Sequence, residues 1–200
     1  MAAMPATDPE EAEVHTFLAA GSGPLTVEDL ERMPDDGRRY ELINGTLIVS
    51  PAPGTRHQVI GYRLFGVLDA VCPDEFYVLG APYSVRPTKT TELQPDVLVG
   101  NAEDFTDKLL PTAPVLAVEV LSPSTALSDL TYKKAAYERL GVPSYWVIDP
   151  DEPSLIVFEL DDDGVYQETA KVAGSEPYQA TRPYQVRIVP TELLGRLADA

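Results

Sequence analysis

Residues 115–121 read VLAVEVL and residues 95–100 read PDVLVG. Both runs are short, apolar and rich in Val and Leu, the pattern of central strands covered on both faces of a sheet. Each carries one acid at odds with that setting. Glu119 interrupts the first run, and an ionised carboxylate in a buried strand is costly unless a cation, a metal or a dense set of hydrogen bonds compensates it. Asp96 follows Pro95 at the entrance of the second run. If the two strands are neighbours, the carboxylates converge at one edge of the sheet, and an oxygen-rich pair of this kind suits Mg2+ or Mn2+. A structural ion pair would account for Glu119 equally well, and an Asp after Pro is common at strand starts and turns.

Downstream, Leu130, Lys133, Tyr137 and Leu140 are spaced i, i+3, i+7, i+10. A helix from about Ser128 to Leu140 would therefore aim Lys133 along the middle of its apolar face. Ser128 suits its cap, Gly141 its stop, and Pro143 lies just beyond. A lysine aimed at the core is expensive unless its ammonium reaches carboxylates or snorkels to solvent at a helix end. The intervening loop, SPST at 122–125, is short enough to bring Lys133 to Glu119.

Upstream, RRYELINGTLIVS at 38–50 reads as a hairpin turning at Asn44-Gly45, with Glu41 on its first arm. From Thr55 to Val71, the spacing of Ile60, Leu64, Val67, Leu68 and Val71 predicts an amphipathic helix packed on the sheet. Arg56 and His57 open that helix, where backbone N–H groups favour an anion such as phosphate, although such residues often sit at helix ends without function. Thr26 caps a short helix ended by Pro34. FYVLGAPYSVRP, SYWVID, SLIVFEL and VYQETAKV read as strands, followed by a strand near Tyr184 to Val189 and a short helix from Pro190. Helices on both sides of a mixed sheet predict an α/β fold of three layers. Residues 25–200 form one domain in this reading, and residues 1–24, rich in Ala, Pro, Gly and acid, form a mobile acidic tail dispensable for folding.

The 200 residues, 44% of them hydrophobic, can bury one sizeable core. No apolar run is long enough to cross a bilayer and no signal segment opens the chain, so a soluble, cytoplasmic protein is expected. Cys72 is the sole cysteine, which rules out an internal disulfide and a thiolate zinc cluster. The net charge of −17 opposes a nucleic-acid partner, because such proteins usually grip phosphates with a basic surface. Part of the excess falls in the first residues and in the Asp161 to Asp163 turn, and a bound dication would invert the field at a carboxylate site.

Pro95-Asp96, EVLSPST from Glu119, and Lys133 within DLTYKKAAYERLGVPSYWVID, together with YELINGTL and RHQ, resemble the Uma family of restriction endonucleases in the PD-(D/E)xK nuclease superfamily. The likeness runs from about Tyr40 to Asp149. It implies a restriction-endonuclease-like mixed central β-sheet flanked by helices, and hydrolysis of DNA phosphodiesters with Mg2+ or Mn2+. By this resemblance Asp96 and Glu119 match the metal-binding carboxylates and Glu41 the additional upstream acid. Leu121 stands where the superfamily pattern places a lysine, and the migrated lysine of the family fits Lys133. The implied mechanism has Asp96, Glu119 and the Val120 carbonyl holding the metal, Lys133 positioning or helping to deprotonate the attacking water, and Glu41 holding a second metal or orienting that water. Arg56, His57 and Tyr137 become candidate contacts to a DNA phosphate, with structural roles as the plainer readings of His57 and Tyr137. The partners implied are nucleic acid, DNA foremost, and no membrane, with a homodimer left open. Two other classes stand beside this one. A noncatalytic nuclease-fold scaffold suits the acidic surface, and a metal-dependent hydrolase of a small phosphate ester suits the charge better than a nuclease does. A scaffold has no need of a buried lysine facing buried acids.

Overall fold

In the computed structural model, which describes residues 15–17, 23–123 and 125–199, VLAVEVL forms the strand β9 (Leu116–Val120) at the middle of a six-stranded mixed sheet. β9 runs parallel to β10 (Ser144–Asp149) and antiparallel to β7 (Val97–Asn101). Beyond β7 lies β4 (Phe76–Gly80), and beyond β10 lie β11 (Ser154–Leu160) and β12 (Tyr166–Ala173). Pleating divides the side chains of β7 and β9 between two cores. Val97, Val99, Val118 and Val120 pack against Ile60, Leu64 and Leu68 of α2 (Thr55–Asp69), where α5 (Pro190–Leu194) also lies. Ala117 and Leu121 face the opposite way, towards Ala136, Tyr137 and Tyr145. Alternation therefore puts Glu119, between Ala117 and Leu121, on the face away from α2.

That second face is covered partly by helix and partly by another sheet. Its helical cover is α3 (Ala126–Ser128), a π-helical turn at Asp129–Lys133, and α4 (Lys134–Arg139). The second sheet has the order β1-β3-β2-β6-β5-β8, built from β1 (His15–Phe17), β2 (Arg39–Ile43), β3 (Thr46–Ser50), β5 (Ser84–Thr88), β6 (Thr91–Leu93) and β8 (Leu109–Leu110). A two-stranded ribbon, β13 (Tyr178–Ala180) with β14 (Val186–Ile188), and the short α1 (Val27–Leu30) complete the elements. Among the described residues no helix is long and apolar enough to cross a membrane.

The α/β architecture with a mixed central sheet follows the sequence expectation, with instructive differences. The helix expected from Ser128 starts at Ala126, and Ser128 is buried rather than capping. Its π turn holds more residues than an α turn and changes the phase of the faces. Asp129 is consequently buried, while Leu130, expected on the apolar stripe, is 37% exposed. Val67 and Val71 are exposed as well, and α2 ends at Asp69. Within the segment read as a tail, His15–Phe17 pairs antiparallel with Leu47–Val49 of β3, which departs from a segment with few contacts. The tail expectation for the other residues up to 22 lies outside the described residues.

The hairpin turn has a strict backbone requirement. Asn44 (φ 50°) and Gly45 (φ 76°) both lie in the left-handed region, as a two-residue turn between β2 and β3 demands. A Cβ on Gly45 would also press into Pro24, coming within 2.9 Å of its Cα. Gly45→Ala is expected to cost about 1–2 kcal/mol for the backbone alone, and more for the collision. Denaturant unfolding should show an earlier midpoint, and an unchanged one would mean that the turn relaxes freely.

Candidate active site

The PD dipeptide acts at the point where the β7–β9 ladder stops. Extending the Val97↔Val118 register by two residues places Pro95 opposite Val120, and Pro95 has no N–H to offer. The side chain of the next residue takes over, with Asp96 Oδ2 accepting the Val120 N–H at 2.8 Å. Arg39 of β2 donates from both terminal nitrogens to Asp96 Oδ1 at 3.0 Å, and from one of them to the Gln94 carbonyl at 3.2 Å. His57 Nε2, near the start of α2, lies 3.0 Å from Asp96 Oδ2. Burial pushes the Asp96 carboxyl up, but the His57 hydrogen bond and the Arg39 charge outweigh it and hold the group well below the ordinary range.

A second knot lies on the same face. Lys133 Nζ is 3.0 Å from Glu41 Oε2, 3.1 Å from Glu119 Oε2 and 3.6 Å from Asp129 Oδ1. Tyr137 donates its hydroxyl to Glu119 Oε1 at 2.9 Å, and the Gln94 N–H donates to Glu41 Oε1 at 2.8 Å. Glu41, Glu119, Asp129, Lys133 and Tyr137 are all buried. Asp96, Glu119, Asp129, Lys133, Arg39 and His57 line one cavity of about 240 Å³. Four carboxyls thus face one lysine and one arginine. Burial pushes the Glu119 carboxyl well up; Lys133 opposes that shift, and Asp96, Asp129 and Glu41 reinforce it. Asp129 is raised in the same way, by burial first.

These groups fit a divalent cation by their chemistry. The cluster is short of positive charge, and three buried carboxylate oxygens, Glu41 Oε2 and both of Asp129, make no well-formed hydrogen bond. Among the described residues no three His, Cys, Asp or Glu side chains stand preassembled as a metal shell. Two carboxylates with water in the remaining positions is a usual way of binding Mg2+.

Glu41, Asp96, Glu119 and Lys133, four residues singled out from the sequence, are brought together here, with the Val120 peptide beside Asp96. The other expected contacts divide. His57 reaches the cluster, whereas Arg56 donates to the Pro150 carbonyl at 3.1 Å and ties α2 to the loop after β10. Tyr137 takes the plainer, structural reading rather than the candidate phosphate contact, being fully buried with its hydroxyl committed to Glu119. Tyr137→Phe would strip Glu119 Oε1 of its donor and is expected to cost about 1–3 kcal/mol. Chemical denaturation measures this, and an unaltered stability would free Tyr137 for another role. Arg39 and Asp129 escaped the sequence reading, although each had a signal. Arg39 and Glu41 share a strand face at i, i+2, and Asp129, Lys133 and Tyr137 are spaced four residues apart on one helix.

The Uma2 family model, described as "Putative restriction endonuclease", matches residues 27–187, well over half of the chain. Among solved structures, the chain is similar to "a putative nuclease belonging to DUF820" from Anabaena variabilis ATCC 29413. The two share 20% identity and a TM-score of 0.67 over 87% of this chain and 99% of that one. At this identity the likeness speaks for the fold. No curated protein matches.

Proposed function

This chain belongs to the Uma2 family, and from that premise we propose that it is a metal-dependent endonuclease hydrolysing DNA phosphodiester bonds. The carrying observation is the lysine buried among Glu41, Glu119 and Asp129, in a cavity that also admits Asp96. Such a network is a poor stabiliser compared with apolar residues of similar volume, and strongly shifted carboxyls in a cleft point towards function.

In this reading Asp96, Glu119 and the Val120 carbonyl would hold Mg2+ or Mn2+, the dication taking over part of the pairing that Arg39, His57 and Lys133 give those carboxylates. Once bound, the dication supplies Lewis acidity, neutralising charge on the phosphate and acidifying a water. Lys133 compensates the surrounding carboxylates and positions the attacking water. Glu41, fixed by the Gln94 N–H, orients Lys133, and Tyr137 fixes Glu119. Arg39 and His57 hold Asp96 ionised at the mouth of the site. A hydrolase of smaller phosphate esters is the second reading, favoured by the net charge of −17.

Calorimetric titration with Mn2+ and Mg2+, paired with cleavage of supercoiled and single-stranded circular DNA, tests the proposal. Binding and cleavage together support it. Binding without cleavage of any nucleic acid turns the reading to the smaller ester, and absence of both leaves the scaffold.

A further inference from the structure

Arg39, His57 and Asp96 also form the inner wall of a second cleft, of about 160 Å³, on the other side of Asp96 from the lysine cavity. Its floor is one face of α2. Gln58, Gly61, Tyr62 and Phe65 are spaced i, i+3, i+4, i+7 along one side of the helix, flanking the buried Ile60, Leu64 and Leu68, with Phe65 half-buried against that core. Tyr62 is 68% exposed. Gly61 is the informative member. A mid-helix glycine costs roughly 1 kcal/mol relative to alanine, yet a Cβ there would meet nothing within 4 Å. Packing does not require a glycine at this position, and the missing side chain leaves the cleft open.

Resting on the nuclease reading above, we propose that this cleft receives one unpaired nucleobase, so that the substrate is single-stranded or flapped nucleic acid rather than an intact duplex. Size, chemistry and charge support the assignment. A cavity of roughly 150 Å³ holds a benzene-sized ring, so 160 Å³ beside Tyr62 and Phe65 suits one stacked base, with Gln58 available to its polar edge. A phosphate attached to that base would lie towards Arg39 and the lysine cavity. Duplex binding instead draws on many phosphate contacts, about six to ten in proteins of strong salt dependence. The basic side chains lining the two clefts are Arg39, His57 and Lys133, and each is engaged with carboxylates. Affinity must then come from stacking, which requires a base whose faces are free.

The test reads binding alone, with Ca2+ in place of Mg2+. The probe is a DNA hexamer carrying one 2-aminopurine, whose fluorescence falls on stacking, compared with its duplex, its RNA counterpart and thymidine monophosphate. The wild type is expected to quench the single strand and to bind it more tightly than the duplex. Tyr62→Ala and Gly61→Leu, which remove the platform and fill the cleft, should each weaken hexamer binding roughly ten-fold while circular dichroism stays unchanged. The inference is overturned if the wild type prefers the duplex, binds neither form, or binds the monophosphate as tightly as the hexamer. It is overturned too if both variants bind the hexamer as the wild type does. Single-strand binding without cleavage would keep this inference and sink the nuclease reading, whereas cleavage of duplex with no single-strand preference would do the reverse.

Discussion

Lys133→Met is expected to abolish Mg2+-dependent cleavage and also to weaken the fold. Three buried carboxyls would lose the ammonium within 3.6 Å of them, and breaking a buried pair on one side typically costs about 3–5 kcal/mol. The loss should depend on pH in a definite direction. Glu119 and Asp129 are already raised above their ordinary values by burial, so the native state binds protons more tightly than the unfolded chain does. Their contribution is fully present below the ordinary carboxylate range and is lost as pH rises through the raised folded values. Metal-free wild type should therefore melt higher at about pH 5 than at about pH 8, and Lys133→Met should show a steeper dependence, because Lys133 is the group opposing the rise. Asp96 has the opposite sign, its depressed carboxyl losing stability only as pH falls below the ordinary Asp value of 3.8. Metal affinity in the variant should be equal or higher, since a competing cation has gone. Thermal melts with and without Mn2+ check all three. A variant as stable as wild type at every pH would show that the carboxyls do not need the lysine.

Asp96→Asn should separate function from folding in the other way. An amide oxygen can still accept the Val120 N–H, so the end of the β7–β9 ladder survives, while the charge that holds Arg39 and attracts a dication is lost. Cleavage is expected to fall at least a hundred-fold and Mn2+ affinity at least ten-fold, with a smaller drop in stability than Lys133→Met causes. Single-turnover assays and calorimetric titration measure the two losses. Retained metal affinity with lost cleavage would move Asp96 from holding the metal to holding Arg39.

The middle of the central sheet was legible because β7 and β9 are apolar on both faces and the acid at or within each stands out against that background. Glu119 and Asp96 announced themselves as violations of a local rule, and the Asn44-Gly45 turn fixed the arm that carries Glu41. Helical spacing singles out Lys133, although the buried stripe of the folded helix has a different phase from that of an uninterrupted α-helix. The π turn at Asp129–Lys133 shifts the buried stripe to Asp129, Lys133, Ala136 and Tyr137, and no propensity signals such a turn. Arg39 was missed because which face of the β2–β3 hairpin becomes buried depends on what packs against it, which is a tertiary fact. The second sheet was only partly visible, since β6 and β8 have three and two residues and owe their pairing to neighbours rather than to their own pattern.

The most direct measurement of the central claim is cleavage of circular DNA, supercoiled and single-stranded, by wild type and Asp96→Asn side by side in Mg2+, with a chelator control. Wild type should cut the single-stranded circle to linear products, with the supercoiled circle cut more slowly or not at all, and both the substitution and the chelator should stop the cleavage. A wild type that leaves every circle intact, or an Asp96→Asn protein that cuts as fast as wild type, would contradict a metal-dependent nuclease centred on Asp96, Glu119 and Lys133.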